Sequence, residues 1–139
     1  MKHYKNERGQ SLVELAISIL ILVYLLAGAV EFGLAFFQYV QLRDAAQEGA
    51  LYGSMNPGDL GGVDDRARAA STSPIDLSDT TNVIVTSTII GAACEGNGIQ
   101  VTVSYNHRIF MPFIPQFVGS STIPLNATVI DTILSPVCP

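Results

Sequence analysis

Apolar residues run almost unbroken from position 12 to 30, LVELAISILILVYLLAGAV, with Glu14, Ser18 and the hydroxyl of Tyr24 as the only polar groups. The run reaches the roughly 20 residues a helix needs to cross the hydrocarbon core of a bilayer, and it predicts a transmembrane helix. Past Glu31 the pattern changes rather than breaks. Phe32, Ala35, Phe36, Tyr39, Leu42, Ala46, Gly49, Ala50 and Gly53 recur at three- and four-residue steps, while Gln38, Gln41, Arg43, Asp44, Gln47 and Glu48 lie largely off that stripe, which is the helical period. One helix is therefore expected from about residue 10 to 54. At 1.5 Å per residue it would be roughly 65 Å long, about twice the hydrocarbon thickness, so its second half stands clear of the membrane as a stalk. The segment SMNPG, 54–58, stops it, because proline biases the preceding residue away from helix and Asn and Gly favour turns.

Residues 55–81 are rich in Gly, Asp and Ser and read as a loop enclosing a short helical turn or two around 63–70. From residue 82 the period becomes two. NVIVTSTII leads through GAACEGNG to IQVTVSY, where Ile99, Val101, Val103 and Tyr105 alternate with polar residues as in a half-buried strand, so the pair predicts a hairpin. TIPLNATVIDTI, 122–133, supplies a third antiparallel strand, and three strands with one apolar face against a helix suffice for a small domain. The expected fold is α+β: a long N-terminal helix, then a small antiparallel sheet over 82–139. Between the last two strands lies RIFMPFIPQFVG, 108–119, an apolar loop that must cover the sheet or helix, or else lie on the membrane or a neighbouring subunit.

Composition agrees with a membrane-linked chain, since 48% of the 139 residues are hydrophobic and only 14% charged. Charge adds an orientation. Lys2, Lys5 and Arg8 against Glu7 give the first nine residues +2, whereas four cations against eleven acids give the remainder −7. The basic leader points the N-terminus to the cytoplasm and the bulk of the chain outside. No basic patch survives beyond the leader to hold nucleic acid. A signal-peptidase cut near Ala27, Gly28 and Ala29 is the competing reading, opposed by the helical pattern that continues past it.

Several residues stand out. Gly49 and Gly53 form a G-x-x-x-G pair among Ala45, Ala46 and Ala50, a face that lets another backbone approach closely, whether a partner helix or the chain's own β-domain. Glu31 ends the apolar run and is expected at the outer headgroups, the alternative being a buried polar contact with another subunit. An external location permits a disulfide between Cys94 and Cys138, which would close a loop of about 45 residues worth about 3–4 kcal/mol in the chain-entropy account. Two isolated thiols make a poor metal site, and Asp59, Asp64 and Asp65 lack the alternating oxygen ligands of a calcium loop, so no metal or other cofactor is expected. His3 and His107 are the only histidines, and no Ser-His-Asp, H-E-x-x-H, P-loop or G-x-G-x-x-G arrangement is present, which argues against an enzyme and leaves His107 as a surface residue at a strand end.

RGQ at 8–10, Glu14 five residues past Gly9, EFG at 31–33 and AAQEGA at 45–50 together resemble the TadE-like minor pilins (pseudopilins) of the tight adherence pilus system. The resemblance is close over the first third of the chain, and the tail with VTVSY, FMPFIP and LNATVI is similar to the family's less distinctive one. It implies cleavage between Gly9 and Gln10 by a prepilin peptidase at the cytoplasmic membrane face, so that Glu14 becomes the fifth residue of the mature chain. A carboxylate in an apolar segment is unfavourable by several kcal/mol unless paired or near the headgroups. Removing the leader creates an α-amino group four positions before Glu14, on the same or a neighbouring subunit, as its partner; reaching water at the interface is the plainer account. The resemblance thus implies a pilin-like assembly subunit whose partners are other pilin subunits, the peptidase, an inner-membrane assembly platform and the lipid bilayer. Two other roles stay open: the major filament subunit, and a signal-anchored binding domain without assembly.

Overall fold

The computed structural model describes residues 8–112 and 114–139. The fold is α+β. Helix α1, Arg8–Met55, is one continuous element of 48 residues, and α2 is Leu60–Ala69. The sheet is built from β1, Val83–Ile90, β2, Gly98–Arg108, and β3, Thr122–Thr132, with a one-turn helix α3, Ile114–Val118, between the last two strands. The strands lie antiparallel in the order β1-β2-β3. Lys2, Lys5 and most of the leader fall outside the described residues, as does Phe113 of the apolar loop.

Helix α1 ends where the sequence predicts. The Asn56 backbone N–H and its side-chain amide both donate to Tyr52 O, at 3.0 and 3.3 Å, and Pro57 has no N–H with which to continue. The chain then turns into α2, whose first turn is capped by Asp59. Its carboxylate accepts from Gly62 N at 2.9 Å and from the Tyr52 hydroxyl at 2.8 Å. These two donors, with the Gly62 N–H the larger influence, hold the Asp59 carboxyl below its ordinary value.

The core sits between the distal half of α1, α2 and one face of the sheet. Leu42, Ala45, Ala46 and Ala50 of α1 are fully buried with Val63 and Ala67 of α2 and with Val83, Ile99, Val101, Val103 and Ala127 of the sheet. Register follows the alternation in the sequence: Val103 faces Val85 on β1 and Ala127 on β3, and Val101 faces Val129. Gly49 and Gly53 receive the chain's own head. A Cβ at Gly49 would lie 3.2 Å from the Ala67 Cβ and 3.3 Å from Val101 Cγ1, and one at Gly53 would lie 2.9 Å from Val63 Cγ2 and collide with Ile99. Small residues here let α2 and β2 close on the helix backbone.

Replacing Gly53 with valine is therefore expected to destabilise the head by about 1–3 kcal/mol through overpacking. This outweighs the few tenths of a kcal/mol that valine gains over glycine in helix propensity. Urea denaturation of the full chain in detergent micelles measures it, and an unchanged midpoint would show that the glycine face is loosely packed.

The stripe on α1 that meets the head keeps the expected Ala35, Leu42, Ala46, Gly49, Ala50 and Gly53, but its membrane-side end is turned: Glu31, Gln38 and Gln41 join it, whereas Phe32, Phe36 and Tyr39 keep exposed faces. Polar residues belong to the contact because they fasten loops. Gln41 Nε2 donates to Ile75 O at 2.7 Å while its Oε1 accepts from Ile75 N at 3.0 Å, as a neighbouring strand would. Arg68 Nη1 donates to Leu77 O and Val83 O, at 3.2 and 3.3 Å, so two side chains bind the connection between α2 and β1.

Candidate functional site

Three regions along α1 bear on function: the junction and stem at its start, the neck at Glu31, and the face that holds the head. In the stem, residues 9–26 are exposed or at most half-covered, and the helix is long and apolar enough to cross a membrane. Gly9 and Gln10 form its first turn, and a Cβ at Gly9 would meet nothing within 4 Å. Gly9, Gln10, Val13, Glu14, Ile17 and Ser18 line one face of the helix, the i, i+3, i+4 row that puts Gln10 and Glu14 side by side. The Ser18 hydroxyl donates back to Glu14 O at 2.8 Å, which satisfies that hydroxyl inside an apolar segment.

The neck corrects two expectations. The sequence leads one to expect Glu31 at the headgroups or against another subunit, and His107 on the surface. Glu31 instead is 3% exposed and His107 fully buried, and the two meet within this one chain. His107 Nε2 lies 2.7 Å from Glu31 Oε1, and the same carboxylate accepts from Phe110 N at 3.2 Å and Met111 N at 3.0 Å. On the far side of the ring, Nδ1 faces Gln38 Oε1 at 2.6 Å. An amide suits this place, since its oxygen accepts from a protonated nitrogen and, turned over, its NH2 donates to a bare one.

The physical reason is parity. His107 continues the inward series Ile99, Val101, Val103, Tyr105 on β2, and Gln38 and Glu31 lie about one and three helical turns before Leu42 on the same side of α1. Extending the strand by one more pair would have placed His107 inside, opposite Ile123 of β3. Glu31 thereby fastens both the end of β2 and the start of the apolar loop to the helix at the point where the long apolar run ends.

The disulfide Cys94–Cys138 is present, with Cα atoms 5.0 Å apart. It joins the β1–β2 turn to the C-terminal tail, which already lies along that turn through Glu95 N to Pro136 O at 2.7 Å and Gly96 N to Ile133 O at 3.0 Å. The tail is also tied to the end of α1 by Leu134 N to Ser54 O at 2.8 Å. Among the described residues no group of three His, Cys, Asp or Glu side chains could hold a metal ion.

An exposed apolar stem, continuous with a stalk on which a small disulfide-tied sheet is folded, defines a stem-and-head chain of the membrane-anchored kind. The family model described as TadE-like protein matches residues 9–51, so the chain is similar to that family over its N-terminal helix. That stretch begins at the expected processing junction and covers the stem, the neck carboxylate and most of the face that carries the head. No curated protein and no solved structure matches the chain.

Proposed function

We propose that the chain is a pilin-like subunit of a tight-adherence-type pilus, held in the cytoplasmic membrane by α1 with its head outside, freed of its leader by a prepilin peptidase, and then built into a filament with other pilin subunits by an inner-membrane platform. The role is structural rather than enzymatic. One observation carries the reading: the TadE-like match coincides with an apolar stem whose residues 10–22 are all exposed. A lone apolar helix of this length needs lipid before assembly, and in a filament it needs the stems of its neighbours. Glu14 is the carboxylate that pairs with the α-amino group of a newly cut Gln10, on its own or an adjacent subunit.

Gly9→Ala tests it without disturbing the fold, because a methyl group at that position meets no atom. Membrane insertion should be unchanged, while the mature N-terminus at Gln10 and incorporation into filaments are lost. Mass spectrometry of the intact protein reads the first, and the ratio of sheared filament to membrane fraction reads the second. Filaments of normal yield containing the uncut chain would overturn the reading.

A further inference from the structure

The apolar loop between β2 and β3 meets the sheet at its start, through the buried Ile109 and through Ile114 beside Ile123 and Leu125, and then runs along the stem. Helix α3 lies beside the stem: the Phe117 ring is 6.3 Å from that of Tyr24 in an edge-to-face arrangement, and Ile114 and Phe117 line an open cleft with Ile21, Tyr24 and Leu25. Tyr24 precedes the neck residue Glu31 by seven positions, about 10 Å along a helix, so the Phe117 end of α3 reaches about 10 Å below the neck alongside the apolar run, while Ile114 at its start also borders the neck beside Glu31 and Phe32. Its outward side chains are uncovered, with Phe117 82% and Val118 53% exposed. No charged residue occurs between Arg108 and Asp131. Arg108 is exposed at the upper end of this uncharged stretch, where a guanidinium can meet lipid phosphates. Glu31 holds the loop's entry through Phe110 N and Met111 N, which fixes how far α3 reaches down.

We infer that the β2–β3 connection is a second membrane contact of this chain: α3 lies in the leaflet on the head side, with Phe117 and Val118 among the acyl chains, so the head is seated in the bilayer surface and not held above it on the stalk. The occupant of this face is lipid, because the face is continuous with the exposed apolar stem at the same height along α1. The inference rests on α1 spanning a bilayer and is independent of whether the chain enters a filament.

The chain has no tryptophan, so single replacements act as depth reporters. The full chain is reconstituted at low protein-to-lipid ratio in phosphatidylcholine vesicles brominated along the acyl chains. Four variants are compared: Phe117→Trp and Val118→Trp in α3, Leu20→Trp in the stem, and Ile84→Trp on the outer face of β1. Phe117→Trp should lose emission to bromine as Leu20→Trp does and stay protected from aqueous iodide, with Val118→Trp repeating the result. Ile84→Trp should show the opposite. Phe117→Trp and Val118→Trp that follow Ile84→Trp overturn the second contact while leaving the span standing. Protection from iodide without loss to bromine would mean that another copy of the chain covers α3, and overturns the lipid assignment. A Leu20→Trp that also escapes bromine overturns the span and the second contact together.

Discussion

Glu31→Leu is expected to destabilise the head of this protein by about 3–5 kcal/mol, the range for removing one partner of a buried charged cluster. The change removes the carboxylate that, among the described residues, meets His107 Nε2 and accepts from both Phe110 N and Met111 N. His107 is buried and Met111 half-buried at the neck, and a buried polar group left without a partner is unfavourable by about 1–3 kcal/mol. His107→Leu should be milder, because Glu31 keeps its two backbone donors and loses only the ring. The double variant should destabilise by less than the sum of the two, since the ring no longer needs an acceptor, yet it should not return to the parent, since Phe110 N and Met111 N stay orphaned. Urea midpoints for the four full-length chains in micelles close this cycle. Parent-like midpoints for Glu31→Leu would show that the carboxylate meets water at the neck.

The same neck shows what a sequence conceals. Both partners were visible as residues, but each was judged by its own type and position. A carboxylate at the end of an apolar run ordinarily faces headgroups, and a histidine beside a strand end ordinarily faces water. What buries them is mutual satisfaction across 76 positions, and a linear pattern carries no signal for a partner that far away. Parity carried part of it, since 99, 101, 103, 105 and 107 all face inward on β2. Gln41 illustrates the same limit: as a polar residue it was set outside the helix stripe, although its amide spans both backbone groups of Ile75.

Where burial is apolar and local, the sequence was legible. The long helix, the hairpin and the third strand follow from periods of 3.6 and 2, because each element hides one face against the same core. Phe32, Phe36 and Tyr39 are the exception. Their place in the apolar stripe suggests burial, yet the head closes on the stripe's small residues further along, where Gly49 and Gly53 let α2 and β2 approach. Those aromatics instead wall an open groove of about 400 Å³ with Ile114, Ile123 and Leu125. The sequence shows 108–119 only as an apolar loop that needs cover, yet it holds the one-turn helix α3; proline is tolerated in a first helical turn, and Pro115 sits there.

Glu14→Leu is expected to leave membrane insertion intact while incorporation into filaments falls severalfold. The substitution makes the span more apolar, and on transfer scales that favour aliphatic side chains the variant inserts at least as well as the parent. In the structure Glu14 is exposed on the stem and no side-chain bond engages its carboxylate among the described residues, so neither the fold of the head nor the packing of α1 depends on it. What the variant loses is the negative charge that meets an α-amino group on a cut neighbour, in surroundings where water no longer screens the pair. The decisive quantity is the ratio of assembled to membrane-inserted protein at matched expression. Ser18→Leu, one turn further along the same face, controls for added apolarity and should leave the ratio near that of the parent. A carboxylate that only rests at the headgroups predicts equal ratios for Glu14→Leu and the parent, and that result would remove the pairing while leaving the stem, the neck and the head as described.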